Sequence, residues 1–185
     1  MFETGVAELE TPVLRYGALD RAHLTKHLWQ MARRVGVKQV TIRALAAEAG
    51  TRPSSVYYHV RDKRELLDLL IESVLAQIEV PQEGDWESKL VALYTSAFKV
   101  LVEVPGIAGL LQEHPHTAAA TEMDRASRSI LHQSGLPTED FEAAHATLYV
   151  HLLGSVQLAH LGALGDRTFS YGLRVILNGL RREIK

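Results

Sequence analysis

Cysteine is absent from this 185-residue chain. That rules out a disulfide framework, a thiolate metal site and a cysteine nucleophile. No apolar run approaches the roughly 18 residues of a membrane span. The first residues carry Glu3, Glu8 and Glu10 but no basic segment of the kind that opens a signal peptide, so a cytoplasmic protein is expected. Also missing are alternating strand patterns, repeats at a fixed period, and the G-x-S-x-G, Walker, G-x-G-x-x-G and H-E-x-x-H signatures. No enzymatic activity, cofactor or resident metal is therefore expected. What remains is 46% hydrophobic residues, enough for one good core or two small ones.

Charge of one sign is scarce in the wrong place for an even surface. Residues 15–64 hold 11 Lys/Arg against 3 Asp/Glu, whereas residues 65–185 hold 9 against 16. A compact basic segment on an acidic body suits a polyanionic partner.

The apolar spacing predicts helices nearly throughout. Residues 1–15 read as an irregular lead-in. A first helix starts near Asp20, with Leu24, Leu28, Met31, Ala32 and Val35 on one face and Gly36 at its end. Asp62 and Glu65 form a capping-box pattern that opens a helix running to about Val80. Asp85 caps another, which Pro105 ends. A short turn of helix follows over residues 106–112, and longer helices over 118–133, 138–161 and 167–183. The fold class is all-α.

The 20 residues from Thr41 to Val60 carry the sharpest signal. Thr41 caps a helix whose inner face is Ile42, Leu45, Ala46 and Ala49. Gly50 falls at a sharp turn and can take positive φ without penalty. Pro53 suits the first turn of a second helix, which Val56 and Val60 point inward. Ser54, Ser55, Tyr57 and Tyr58 are left facing out. This is helix-turn-helix spacing, in which the second helix enters the DNA major groove. Small side chains permit close approach to bases. Tyr57, Tyr58, His59 and Lys63 can reach phosphates, and Arg43 can grip a guanine edge or a phosphate.

The stretch "TIRALAAEAGTRPSSVYYHVRDKRELLDLL" resembles the DNA-binding domain of TetR-family transcriptional regulators. The shared elements are T-x-R-x-L-A-x-x-x-G, then (L/V)-Y-x-H-(F/V), then x-x-K-x-x-L-L. The valine in "YYHV" is closer to the tetracycline-repressor branch. The resemblance implies three segments: the lead-in 1–15, a helix-turn-helix domain over 16–64, and a helical effector-binding and dimerisation domain over 65–185. It also implies a dimeric, ligand-responsive repressor whose partners are double-stranded operator DNA, a small organic effector and a second copy of the chain. Operator contacts would come from Thr41, Arg43, Pro53, Ser54, Ser55, Tyr57, Tyr58, His59 and Lys63, with Arg52 adding charge.

In the C-terminal part, two apolar stripes mark the 138–161 helix. One holds Phe141, Leu148, Leu152 and Ala159; the other holds Ala146, Val150, Leu153 and Leu161. The last helix shows Phe169, Leu173, Ile176, Leu177 and Leu180. Leu148, Leu152 and these five are expected to line a four-helix dimer seam. An effector pocket is expected among residues 86–160, with Tyr94, Phe98, Leu111, His114, His145, Tyr149 and His151 as candidates. Glu79, Leu93 and Ala97 stand where the tetracycline repressor's histidine, asparagine and phenylalanine would fall, so another ligand is expected.

Two alternatives stay open at this point. His23 and His27, four apart, and "HPH" at 114–116 allow a metal-responsive regulator, although carboxylates would have to join them. A helical adaptor that binds protein and not DNA also fits an all-helical chain.

Overall fold

A computed structural model describes residues 20–163 and 165–184. The lead-in 1–15 lies outside these residues. Nine α-helices and no strand occur among the described residues. They are α1 (Arg21–Val35), α2 (Ile42–Glu48), α3 (Pro53–Tyr57), α4 (Lys63–Leu75), α5 (Trp86–Val102), α6 (Ile107–Glu113), α7 (Ala118–His132), α8 (Thr138–His160) and α9 (Asp166–Glu183). No single described helix is long and apolar enough to cross a membrane.

The helix starts follow their side chains. Asp20, Thr41, Asp62, Asp85 and Thr117 each accept a hydrogen bond from the backbone N–H three residues on, satisfying donors that the helix itself cannot. The capping box at α4 differs from expectation by one residue. Asp62 accepts from Glu65 N at 2.9 Å, but the Glu65 carboxylate accepts from the backbone N–H of Arg61 at 2.7 Å and from the Arg61 guanidinium at 3.0 Å. These bonds hold the Glu65 carboxyl below the usual glutamate range.

Helix α4 also stops five residues before the expected Val80. After Leu75 the backbone tightens, with Gln77 N–H donating to Val74 O and Ile78 N–H to Leu75 O. The turn brings Ile78 into the core, and Ser96 Oγ takes the Glu79 N–H at 2.9 Å. The chain trades one more helical turn for a buried isoleucine.

A single buried cluster runs from α1 through α4 to α9. Helix α4 packs on α1 at one end and on α5, α6 and α7 along its length, while α8 and α9 lie side by side against α5. Three parallel rings join these last helices: Phe98 stacks on Phe169 at 4.2 Å, and Phe169 on His151 at 5.1 Å. His151 Nε2 donates to the Phe169 carbonyl at 3.0 Å. A Cβ on Gly172 would overlap the His151 ring, so this glycine creates the space the ring fills. Gly172→Ala is expected to destabilise the protein by about 1–3 kcal/mol through overpacking. A thermal melt tests this, and an unchanged midpoint would mean that the ring swings aside freely.

The seam expected between two copies is largely interior to one chain. Leu148 is 0% exposed, Leu152 8%, Phe169 1%, Leu173 2% and Leu177 1%. Ile176 and Leu180 are half-buried against the same core. The strong stripe of α9 faces its own α5 and α8. Of the second α8 stripe, Leu153 is buried, whereas Ala146, Val150 and Leu161 remain exposed.

Candidate nucleic-acid interface and adjoining cavity

Helices α2 and α3 meet at Gly50, whose φ of +61° lets the chain turn sharply. The turn is closed by Thr51 N–H donating to Ala46 O at 2.9 Å. Ile42, Leu45 and Ala46 bury one face of α2, and Val56 and Val60 pin α3 to it; Ala49 is half-buried. Pro53 occupies the first turn of α3, where its missing N–H leaves no bond unmade.

These constraints fix what points out. Arg43, Arg52, Pro53, Ser54 and Lys63 are exposed, Ser55 and His59 half-exposed. Tyr57 is 54% exposed and Tyr58 89%. A large aromatic left this bare on a five-residue helix contributes little to the fold. Tyr58 meets the His59 ring edge-on at 5.4 Å. Thr41 is committed to its cap, its Oγ1 accepting from Ala44 N at 3.1 Å, so it orients α2 at the rim of the surface.

The cations divide into two sets. Arg34 is held by Glu48, Arg61 by Glu65, Arg33 by Glu103 and Arg21 by Glu72. Lys26, Lys38, Arg43, Arg52, Lys63 and Arg64 have no carboxylate partner among the described residues, and all six are exposed. Unneutralised cations beside small and aromatic side chains have the chemistry to bind a phosphate backbone and to present polar groups to bases.

A second site lies in the helical body. A cavity of about 540 Å³ opens between α4, α5, α6, α7 and α8. Of the seven expected pocket residues, Tyr94, Leu111, His145 and Tyr149 line it. The other three have different tasks. Phe98 is stacked in the core, His151 packs on Phe169, and His114 Nδ1 donates to Asp68 Oδ1 on α4 at 2.6 Å. Leu152, expected at a dimer seam, lines the cavity, as do Leu93 and Ala97, whereas Glu79 does not.

Sequence reasoning missed the α7 wall: Thr121, Asp124, Ser127 and Arg128. Their spacing of three and four residues was the available signal, a polar stripe on an otherwise ordinary amphipathic helix. Tyr94 Oη on α5 and Ser127 Oγ of this wall are 2.9 Å apart. Burial pushes the Tyr94 hydroxyl up to about 12 despite that bond, and raises Tyr149 as well. Burial, helped by nearby Arg128, lowers the His145 pKa, so its ring is neutral at pH 7. Among the described residues no three histidine, aspartate or glutamate side chains gather as a metal-binding group.

Cavity and basic surface are linked by α6. At its C-terminal end Leu111, Pro115 and His116 line the cavity, and His114 ties to α4. At its N-terminal end the Pro105 carbonyl accepts from Val37 N–H at 2.8 Å, directly after α1. Gly36 makes this approach possible: at φ +78° it lies in the left-handed region, and a Cβ there would meet Pro105 O at 3.1 Å. Arg33 and Glu103 bridge the same junction at 3.0 Å.

The chain thus presents an exposed helix-turn-helix joined to a helical body with an internal cavity. Residues 27–70 match the family model described as bacterial regulatory proteins, tetR family. An HTH-type transcriptional regulator of Saccharopolyspora erythraea is 30% identical over 129 residues, 66% of this chain and 53% of that protein. The chain thus spans about half the length of that relative. BioQ, solved with its double-stranded DNA operator, superposes with a TM-score of 0.74 at 20% identity, covering 89% of this chain and 99% of BioQ. A TetR variant of Acinetobacter baumannii in complex with minocycline gives 0.74 at 23% identity, covering 89% and 97%. Residues 27–70 thus carry the DNA-binding domain of the tetR family of bacterial regulatory proteins, and the solved structures share the fold of most of the chain.

Proposed function

We propose that the protein is a homodimeric repressor that binds an inverted-repeat operator and is released by a small organic effector. The observation that carries this reading is the surface around α2 and α3: two bare tyrosines, a small-residue helix start, and Arg43, Arg52, Lys63 and Arg64 without carboxylate partners among the described residues. Pro53 through Tyr58 enter the major groove, with Arg43 reaching a guanine edge and Lys63 and Arg52 the flanking phosphates. BioQ's complex with its operator supports the DNA partner, and the minocycline complex supports a small-molecule effector.

Two half-sites need two copies of α3. The apolar surface left on this chain supplies a face for a partner: Val150, Leu158 and Leu161 along α8, and Tyr171 and Val175 on α9, are 42–70% exposed. Gly154 and Gly179 lie mid-helix with open space where a Cβ would stand. Glycine there costs about 1 kcal/mol relative to alanine, and nothing inside one chain requires it. Close approach of a second pair of helices does.

Effector binding is coupled to DNA binding through α6 and α4. The effector needs only to favour the released arrangement; equal affinity for both would shift nothing. Displacing Leu111 and the 114–116 loop moves α6 against the Gly36–Pro105 junction at one end and Asp68 of α4 at the other.

Titrating labelled DNA with protein at two salt concentrations tests this reading against a protein-binding adaptor. If about 6–10 phosphates are contacted, affinity falls on the order of a thousandfold or more from roughly 50 to 200 mM salt. A flat response would contradict it.

A further inference from the structure

The two walls of the cavity differ in chemistry. Apart from Tyr94, the α4, α5 and α6 side is aliphatic, with Leu75, Ile78, Leu93, Ala97, Leu101 and Leu111. The opposite side, from α7 and the facing part of α8, holds the polar and charged groups. The Arg128 guanidinium sits between two carboxylates, with Nε donating to Asp124 Oδ2 at 2.8 Å and Nη1 to Glu142 Oε1 at 2.7 Å. Of these three groups Asp124 and Arg128 line the cavity, whereas Glu142 lies outside it on the exposed surface.

An acceptor is left over. Asp124 Oδ1 has no hydrogen bond among the described residues; the nearest ring nitrogen, His145 Nε2, is 3.7 Å away, beyond hydrogen-bond reach. The phenol of Tyr94 is occupied by Ser127, and Tyr149 lines the same cavity. An anionic group entering here has to displace one carboxylate from Arg128 and then sit beside the other. A cationic group meets an open carboxylate oxygen and two aromatic rings, both of which favour it.

Resting on the reading of this cavity as the effector site, we infer that the effector is a largely apolar organic molecule bearing a protonated amine, its body against the leucine wall and its ammonium on Asp124. The volume suits a drug-sized molecule. The polar end selects by charge, and the aliphatic wall supplies most of the affinity without selecting strongly.

Three probes with one aromatic body separate the possibilities: naphthylmethylamine, naphthylmethanol and naphthoate, each titrated calorimetrically into the full-length protein at pH 7. The amine is expected to bind at least about tenfold more tightly than the carboxylate, as one charge-assisted bond allows. In Asp124→Asn the amine should fall to within about twofold of the alcohol. The alcohol's affinity should not change, which shows that the cavity keeps its shape. A carboxylate that binds as tightly as the amine, or an amine advantage that survives Asp124→Asn, overturns the assignment and leaves the effector reading intact. Failure of all three probes to bind overturns both the amine and the cavity as the effector site. Operator affinity measured on the same preparation stands apart from either outcome.

Discussion

Val175→Glu should produce a folded monomer that has lost most of its operator affinity. Val175 is 51% exposed on α9, one helical turn from Tyr171 at 60%, and the adjoining α8 leaves Val150 67% and Leu161 70% exposed. In one chain the glutamate reaches water, so the helix and its buried stripe of Phe169, Leu173 and Leu177 are undisturbed. In a symmetric dimer the same charge is buried on both sides of the interface, without a partner to offset its desolvation. Losing the dimer removes the second half-site contact, and with it an avidity of the order of 10²–10⁴. Light scattering reads the mass, thermal melting reads the fold, and anisotropy reads operator binding. A Val175→Glu protein that stays dimeric would move the interface elsewhere. Leu173→Glu is no substitute for this test: Leu173 is 2% exposed, and a buried charge there unfolds the chain whatever its oligomeric state.

Arg43→Ala should weaken operator binding by about 1–3 kcal/mol and relax base preference at one position in each half-site. Arg43 is exposed on α2 and has no carboxylate partner among the described residues, so its removal leaves no orphaned charge and costs little stability. The size of the effect distinguishes its role. A base contact lowers affinity for the preferred site and levels the penalty for changing that base. A phosphate contact lowers affinity for all sequences alike and reduces the salt slope by about one per contact. Unchanged affinity would place Arg43 outside the interface.

The DNA-reading end was legible in the sequence because each of its constraints is local. Thr41, Gly50 and Pro53 act on backbone within three residues of themselves, and Val56 and Val60 on a helix immediately preceding. The pocket and the dimer face were less legible because they depend on which way a helix rolls. Helix α8 is apolar on two sides, and spacing alone does not say which side meets its own chain. The stronger stripe of α9 was read as an interface and is the interior: Phe169 stacks between Phe98 and His151 from two other helices. Histidines and aromatics drew attention as ligand contacts, yet His114 and His151 are spent on Asp68 and on the Phe169 carbonyl. The α7 wall escaped notice because Asp124, Ser127 and Arg128 look like a solvated face until α5 and α8 close over it.

Selection of bound duplexes from a random DNA pool with the full-length protein tests the central claim most directly. The account predicts enrichment of an inverted repeat whose half-sites are spaced for two copies of α3 about one duplex turn apart, lost when Tyr58 and Arg43 are both replaced by alanine. Recovery of a single unrepeated half-site would contradict the dimer, and absence of any enriched sequence would contradict operator recognition itself.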